Sequence, residues 1–395
     1  MVFHALVTSR IQTRFLKIFF LSTKNMRPFL IFLFILSQYP GLLAQVVNPG
    51  ILDTLQGEKI KNIIIGGYVD AYYGHFSDQS PEGNIPNFVT MNRHNEMTIN
   101  LAFIDVRYQS SRVRGRFVPG FGTYMNANYQ SEPGVLKNIV EANVGFRLFQ
   151  KKQIWLDLGV LGSPFTNESA ISKDHLMYTR SLAPEYVPYY LSGLKLTVPL
   201  SPSFTLYLYL LNGWQQIQDV NKGKSFGTQL EYRPDDKNLI NWNTYIGSET
   251  SALNPDFTTR YFTDIYWIYN PNKRWSLTSC LYAGLQDVKS LKPAEEKVWW
   301  QYNMISRYTF HQKLSLSARI EYFSDPNGIQ VVPVTGQHSF STFSTGACLN
   351  YGPAENMLLR LEGRYFLARE NVFYDSSGNE TPSALWFISG ATLWF

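Results

Sequence analysis

The chain has 395 residues, enough for two or three soluble domains or one large membrane barrel, and it pairs 15% aromatic with only 16% charged residues. With a mean hydropathy of -0.17, that mixture argues against a soluble enzyme; it suits strands that alternate lipid-facing apolar residues with polar ones between aromatic girdles. The formal charge of +5 does not indicate a nucleic-acid partner, because Arg10, Arg14, Lys17, Lys24 and Arg27 lie in the first 44 residues without an acid and the rest is electrically balanced.

In chain order, Lys24-Asn25-Met26-Arg27 precedes the apolar run Pro28 to Leu36, followed by Ser37 to Leu43 and Ala44-Gln45. Cation, apolar core and small residue at the cleavage point define a secretory signal peptide over 1–44. The apolar core is too short for a bilayer that needs about twenty residues. The apolar patch from Phe15 to Leu21 keeps a membrane anchor as the alternative, and a start at Met26 would make 1–25 an upstream extension. No Cys follows the apolar core, so a lipoprotein anchor is not indicated. Residues 45–62 then form a short N-terminal periplasmic segment, and 63–395 the main domain.

No later stretch is apolar for long enough to make a membrane helix. The pattern predicts strands at about 63–76, 96–108, 112–129, 138–149, 153–162, 190–200, 203–213, 224–233, 238–249, 260–270, 274–286, 298–310, 313–324, 339–351, 356–367 and 384–395. Period two is plain in Phe204, Leu206, Leu208 and Leu210, and in Leu314, Leu316, Ala318, Ile320 and Tyr322. Leu359, Leu361, Gly363 and Tyr365 likewise face away from Arg360, Glu362 and Arg364. Short joints at 109–111, 150–152, 201–202, 234–237, 271–273, 311–312 and 352–355 interleave with long connections at 77–95, 130–137, 163–189, 214–223, 250–259, 287–297, 325–338 and 368–383. Strict alternation implies an even strand number and both termini on the short-turn side. The expected fold is all-β: a transmembrane antiparallel up-and-down barrel of about sixteen strands, with short periplasmic turns and long external loops.

Within membrane depth such a barrel has only its lumen for charge. Arg112, Arg114 and Arg116 recur every second residue and share a face, while Val113, Gly115 and Phe117 can meet lipid. Asp70, Glu141, Arg147, Asp157, Lys195, Glu231, Arg319, Glu321, Arg360, Glu362 and Arg364 repeat the pattern, and about half are expected to pair along the wall. Together these fourteen residues predict a wet, mixed-charge pore lining. The longest loop, 163–189, either lies outside or folds inward as a constriction; folded inward, its Glu168, Lys173, Asp174, His175, Arg180 and Glu185 would meet the wall arginines across the pore. The His residues lack metal-ligand spacing, and Gly-x-Ser-x-Gly, P-loop and dinucleotide motifs are absent, so no metal, cofactor or enzymatic activity is expected. A rim hydrolase would depend most plainly on His175. Cys280 and Cys348 sit three strands apart and are read as unpaired structural residues. The chain ends Ala391-Thr392-Leu393-Trp394-Phe395, and Phe395 is similar to the terminal assembly signal of outer-membrane barrels.

Gly162-Ser163-Pro164-Phe165-Thr166-Asn167-Glu168, Tyr178-Thr179-Arg180-Ser181, Asn212-Gly213-Trp214 and Arg319-Ile320-Glu321-Tyr322-Phe323-Ser324-Asp325-Pro326-Asn327-Gly328 resemble the OmpL-like β-barrel porin family over roughly 63–395. Thr166 departs from that pattern, which has Gly after Pro164-Phe165. The resemblance implies an outer-membrane channel in general terms; with the charged lining named above, the expected function is a porin of a Gram-negative cell, passing ions and small hydrophilic solutes by passive diffusion. The implied partners are outer-membrane lipid, the barrel-assembly machinery and those solutes, with a homotrimer open as the assembly. A barrel of this strand number is too wide for side chains alone to fill, so any blockage must come from loops. The alternative is a barrel scaffold whose external loops bind a ligand or partner above a plugged lumen.

Overall fold

In a computed structural model the described residues are 58–60, 62–77, 83–289 and 295–395, so the expected signal peptide lies outside them. Sixteen strands close the barrel: β1 (Ile63–Phe76), β2 (Met97–Gln109), β3 (Val113–Phe121), β4 (Ile139–Arg147), β5 (Trp155–Gly162), β6 (Tyr190–Pro199), β7 (Phe204–Leu211) and β8 (Ser225–Tyr232) form the first half. The second half is β9 (Asn238–Ser248), β10 (Phe257–Tyr269), β11 (Trp275–Val288), β12 (Glu295–His311), β13 (Leu314–Asp325), β14 (Phe340–Ala354), β15 (Met357–Ala368) and β16 (Ser383–Trp394). A short segment, Glu58–Ile60, pairs with the start of β1. Each strand is antiparallel to the next, and β16 closes on β1 from Trp386 opposite Phe76 to Trp394 opposite Tyr68. The seam runs to the last residue: Gly67 N donates to Phe395 O at 2.9 Å, and Phe395 N donates back at 3.1 Å. Closure leaves no backbone edge unpaired against lipid, where a lost hydrogen bond costs several kcal/mol.

The alternation sorts side chains as the sequence implies. Phe204, Leu208, Leu210, Leu314, Leu316, Ile320, Leu361 and Tyr365 are exposed on the outer wall, and Arg360, Glu362 and Arg364 are buried inside. Aromatic pairs mark two outer belts. Phe204 stacks on Tyr232 at 4.3 Å and Trp275 packs on Tyr308 at 4.8 Å near the short turns, while Trp300 meets Tyr322 at 5.2 Å toward the long loops. These are the interfacial girdles that hold a barrel at its depth.

One expected strand is shorter than its pattern. The segment 112–129 divides into β3 and a helix, α1 (Thr123–Asn128), that packs its Tyr124 and Met125 inward. Gly122 makes the break: its φ of 132° is disfavoured for other residues, and a Cβ there would strike the Asn100 carbonyl. The apolar pattern continues past the break because α1 faces a packed interior in place of lipid.

That interior is the second difference from expectation. Phe76, Phe88, Phe366, Phe373 and Trp386 form a buried cluster toward the long-loop end, with Phe88 supplied by the loop 77–96 and Phe373 by the loop 369–382. A sheet wall plus inward loops here makes a hydrophobic core inside a membrane barrel.

Candidate functional site

The loop 163–189 crosses the barrel and docks on the far wall. Its entry is bent at Thr166, whose φ of 63° is a strained, left-handed value for a β-branched residue. This is the position where the sequence resemblance leads us to expect Gly. Thr166 N donates to Asp264 Oδ2 at 2.7 Å, and Asn167 Nδ2 reaches Thr278 Oγ1 and Asn303 Oδ1, both at 3.0 Å. Farther along, Glu362 accepts from the Tyr178 and Thr179 amides at 2.8 and 2.9 Å, and Glu321 from Leu182 N at 2.6 Å. Arginines take the loop's carbonyls in turn: Arg319 donates to Thr179 O at 2.8 Å, Arg364 to Arg180 O at 2.9 Å and Arg360 to Ser172 O at 2.5 Å.

These wall ions also neutralise one another. Arg319 lies 3.0 Å from Glu362 and 3.1 Å from Glu321, and Arg364 lies 2.5 Å from Glu321, with all four side chains at most 1% exposed. A buried two-plus-two square of this kind is tolerated because every charge has an ion and a hydrogen-bond partner. Beside it, Tyr178 Oη donates to Asp70 Oδ1 at 2.9 Å, and its ring lies where a Cβ on Gly390 would have to sit. Asp70 also accepts from Asn100 Nδ2 at 3.0 Å and Thr392 Oγ1 at 3.2 Å.

Of the loop's own charges Glu168 lies within electrostatic reach of the wall arginine Arg319, but the hydrogen bonds of these side chains run mainly within the loops. Glu168 accepts from Ser181 N at 2.8 Å, and Glu185 accepts from Val89 N at 2.7 Å and from the Thr90 hydroxyl. Arg180 donates to Ser169 O at 3.1 Å and to Ala170 O, and Lys173 pairs with Asp174 at 2.6 Å. The physical reason is that the wall ions are largely engaged by the loop backbone and by one another, which leaves the loop side chains to cap nearby amides and carbonyls. Burial raises the carboxyl pKa of Glu168 and Glu185 and, with Arg180 next in weight, holds the His175 imidazole well below its ordinary value. His175 is buried inside the plug, its Nε2 accepting from Ser169 N at 2.9 Å, and so does not stand on the rim as a hydrolase base would.

The opposite wall, β2 to β6, is built differently. Arg114 grips Asp157 through Nε at 2.6 Å and Nη2 at 2.5 Å, and Lys195 stands 3.9 Å from the same carboxylate. Asp105 is shared by Arg107 and Arg116, each at 2.6 Å, and Glu141 lies 3.6 Å from Arg116. Arg147 ends β4, and its buried Nε has no hydrogen-bond partner. Arg112 is a correction: it falls in the short turn before β3 and is exposed on the rim, because the strand begins one residue later. Glu231 pairs with Arg233 at 2.7 Å, a wall pair away from both groups. Asp105, Arg107 and Asp264 are absent from the predicted set, although the same every-second-residue signal in strands 96–108 and 260–270 marks them.

A lining wet along its whole depth is likewise corrected. Inward residues around the ring are dry at loop height: Asp70, Asn100, Val118, Tyr190, Asn243, Gln301, Ser344 and Glu362 are all fully buried. Between the loop and β4 a cavity of about 40 Å³ remains among Tyr124, Tyr129, Glu141, Glu168 and Tyr189, room for only a few waters. Cys280 and Cys348 are buried and unpaired.

A closed sixteen-strand antiparallel barrel with a lipid-facing exterior and charge confined to its inside is an outer-membrane protein of the porin class. The chain belongs to the family described as "Putative beta-barrel porin-2, OmpL-like", whose model matches residues 62–395. No curated protein sequence matches it. Among solved structures it is similar to the outer membrane channel DcaP of Acinetobacter baumannii, with a TM-score of 0.57, 10% identity, and 86% of this chain and 100% of that one covered. It is also similar to Salmonella typhi OmpF in complex with daunomycin, at TM-score 0.56, 14% identity and 84% and 97% coverage. The trimer form of OmpT from Vibrio cholerae follows at TM-score 0.53, 13% identity and 84% and 99% coverage. At these identities the likeness is one of fold.

Proposed function

We propose that the protein is a porin for ions and small hydrophilic solutes and that the arrangement described is its closed state, with the path lying between the 163–189 loop and the β2–β6 side. One observation carries this reading: the loop is fastened unevenly. Ion-backed hydrogen bonds hold it to β10, β13, β15 and the β16–β1 seam. Toward β3–β5 it meets mainly the 40 Å³ cavity and aromatic contacts, such as Tyr124 on Tyr189 at 5.4 Å. Turning Tyr189 aside takes one hydrogen bond from buried Glu185 but leaves that carboxyl on Val89 N and the Thr90 hydroxyl, so this side opens at lower cost. The pore-lining role of the β2–β6 charges, the export signal in 1–44, the assembly role of Phe395, the lack of enzymatic activity and a homotrimer belong to the same proposal. Purified, refolded protein in planar bilayers is expected to show discrete single-channel steps. Silence over a wide voltage range would refute it.

The dryness of the outer half favours a second reading, a plugged scaffold whose loops bind a surface ligand. Liposome swelling with sugars of graded size separates the two, since a plugged barrel admits none.

A further inference from the structure

We propose that the external rim carries a binding pocket for a small hydroxylated carboxylate of sugar-acid size, built between the start of β12 and the loop 326–339, with Lys297 as its charge and Asn327, Gln337 and His338 as its further hydrogen-bonding groups. A pocket there serves a conducting barrel and a plugged one alike, so it rests on neither reading of the lumen.

Register brings the parts together. Trp300 of β12 lies opposite Ser324 of β13, so three residues farther toward the external rim Lys297 comes level with Asn327. Val298 faces out at 43% exposure and Trp299 is buried, and the alternation turns Lys297 to the inner side of the sheet. Asp325 fixes the turn that follows: Oδ1 accepts from Ile329 N at 2.9 Å, and Oδ2 from Gln330 N at 2.6 Å and Val331 N at 3.0 Å. Gly328, at a φ of 61°, packs so closely that a Cβ would lie 3.0 Å from the His338 carbonyl oxygen. The two ends of the loop are thus seated on each other, and Pro326-Asn327-Gly328 becomes one wall of a pocket.

A cavity of about 310 Å³ is left among Lys297, Pro326, Asn327, Val332, Gln337 and His338, at the small end of the range that ligand sites span. Its polar side chains stand open: among the described residues, Lys297, Asn327, Gln337 and His338 make no side-chain hydrogen bond or ion pair. The backbone beside them is fully engaged, as the three amides on Asp325 show. A rigid cavity on which unengaged donors and acceptors converge is what a polar ligand requires.

Chemistry then selects the ligand. Lys297 brings a full positive charge, and no acid is among the described residues that line the cavity. A carboxylate answers that ammonium with one negative charge, where a phosphate monoester brings close to two. Each carboxamide offers both a donor and an acceptor, and an imidazole can do the same, which suits hydroxyl groups that are themselves donor and acceptor. Pro326 and Val332, the latter 73% exposed, present apolar surface to the C–H groups of a ring. Glucose would leave the ammonium unmatched, and acetate would leave the carboxamides unmatched.

The test is calorimetric titration of the full refolded barrel with sodium glucuronate, with glucose and with sodium acetate, all at matched ionic strength. Saturable binding of glucuronate is expected, with glucose and acetate each about tenfold weaker. Lys297→Gln should weaken glucuronate about tenfold, the loss of a charge-assisted hydrogen bond, and leave the weak binding of glucose as it is. Q337A/H338A should weaken glucuronate and glucose alike, by about threefold. Lys237→Gln removes a cation from the opposite, short-turn rim and should bind as the parent does. Circular dichroism and heat-modifiable gel mobility confirm folding; should K297Q fail to fold, the loop variant Q337A/H338A decides through its own loss of affinity. Absence of saturable glucuronate heat in the parent overturns the site, as does equal weakening in K237Q, which would mark a diffuse effect of net charge. Glucose or acetate binding as tightly as glucuronate overturns it too. A barrel that conducts but binds no glucuronate would refute this site and leave the porin reading standing.

Discussion

Two arginine systems face each other across this barrel and behave in opposite ways. On β13 and β15, Arg319 and Arg364 are matched by Glu321 and Glu362, excluded from water and bound to the loop backbone. On β3 to β6, Arg114 and Lys195 share Asp157 and remain partly wet. Residue type and alternation are the same on both walls. What differs is the covering loop: where it lies on the wall, it turns charges into fasteners, and where it does not, they stay partly exposed.

The largest effect should come from breaking the sealed wall. Glu362→Gln keeps an oxygen for the two loop amides but takes the carboxylate charge from buried Arg319 and sets an NH2 group against the Arg319 guanidinium, an expected cost of about 3–5 kcal/mol. Protease nicking within 163–189 and a lower melting midpoint in detergent would register it; an unchanged loop would erase the contrast between the walls. Gly390→Val should displace Tyr178 from its seat and from Asp70, at about 1–3 kcal/mol. A weaker response of the same protease assay is expected. Thr166→Gly should act in the stabilising direction, relieving about 1 kcal/mol of backbone strain, seen as a raised melting midpoint. A fall would mean that the Thr166 hydroxyl bond to Glu168 O outweighs the strain.

Acidity sharpens the comparison further. Burial raises the Glu168 and Glu185 carboxyls above 4.5, so their contribution is complete below that pH and declines as pH rises through the raised values. Burial and Arg180 lower His175 from 6.5, so its contribution is complete above 6.5 and is lost as pH falls toward the lowered value. The two trends oppose each other between these limits. His175→Asn removes only the second, and its melting midpoint should rise from pH 7 to pH 5 more steeply than the parent's. Smallest of all, Lys195→Ala on the open wall should change stability by about 0–1 kcal/mol, since its 3.9 Å pairing with Asp157 is partly screened by water and Arg114 still holds that carboxylate. A large loss there would show that this wall too is structural.

The barrel was legible because period two repeats along every strand, as in Leu314 to Tyr322, and because short and long connections alternate without a miss. The candidate site was legible only in part. Arg319, Glu321, Arg360, Glu362 and Arg364 advertise an inward face, but nothing local tells a solvated arginine from one that holds a distant carbonyl. Arg319 and Thr179 are 140 residues apart. Tyr124 and Met125 misled the strand reading because an aromatic pattern looks alike whether it faces lipid or a packed lumen.

The amino-acid order by itself determined the sheet, its strand number, its closure side and which side chains point inward, since pleat and turn length are local properties of the chain. Tertiary structure alone decided that the loop 163–189 enters the lumen, that one wall is sealed and the other is left partly exposed. Those outcomes rest on contacts between segments far apart in sequence, where the cost of burying an ion is met only by partners that folding brings to it.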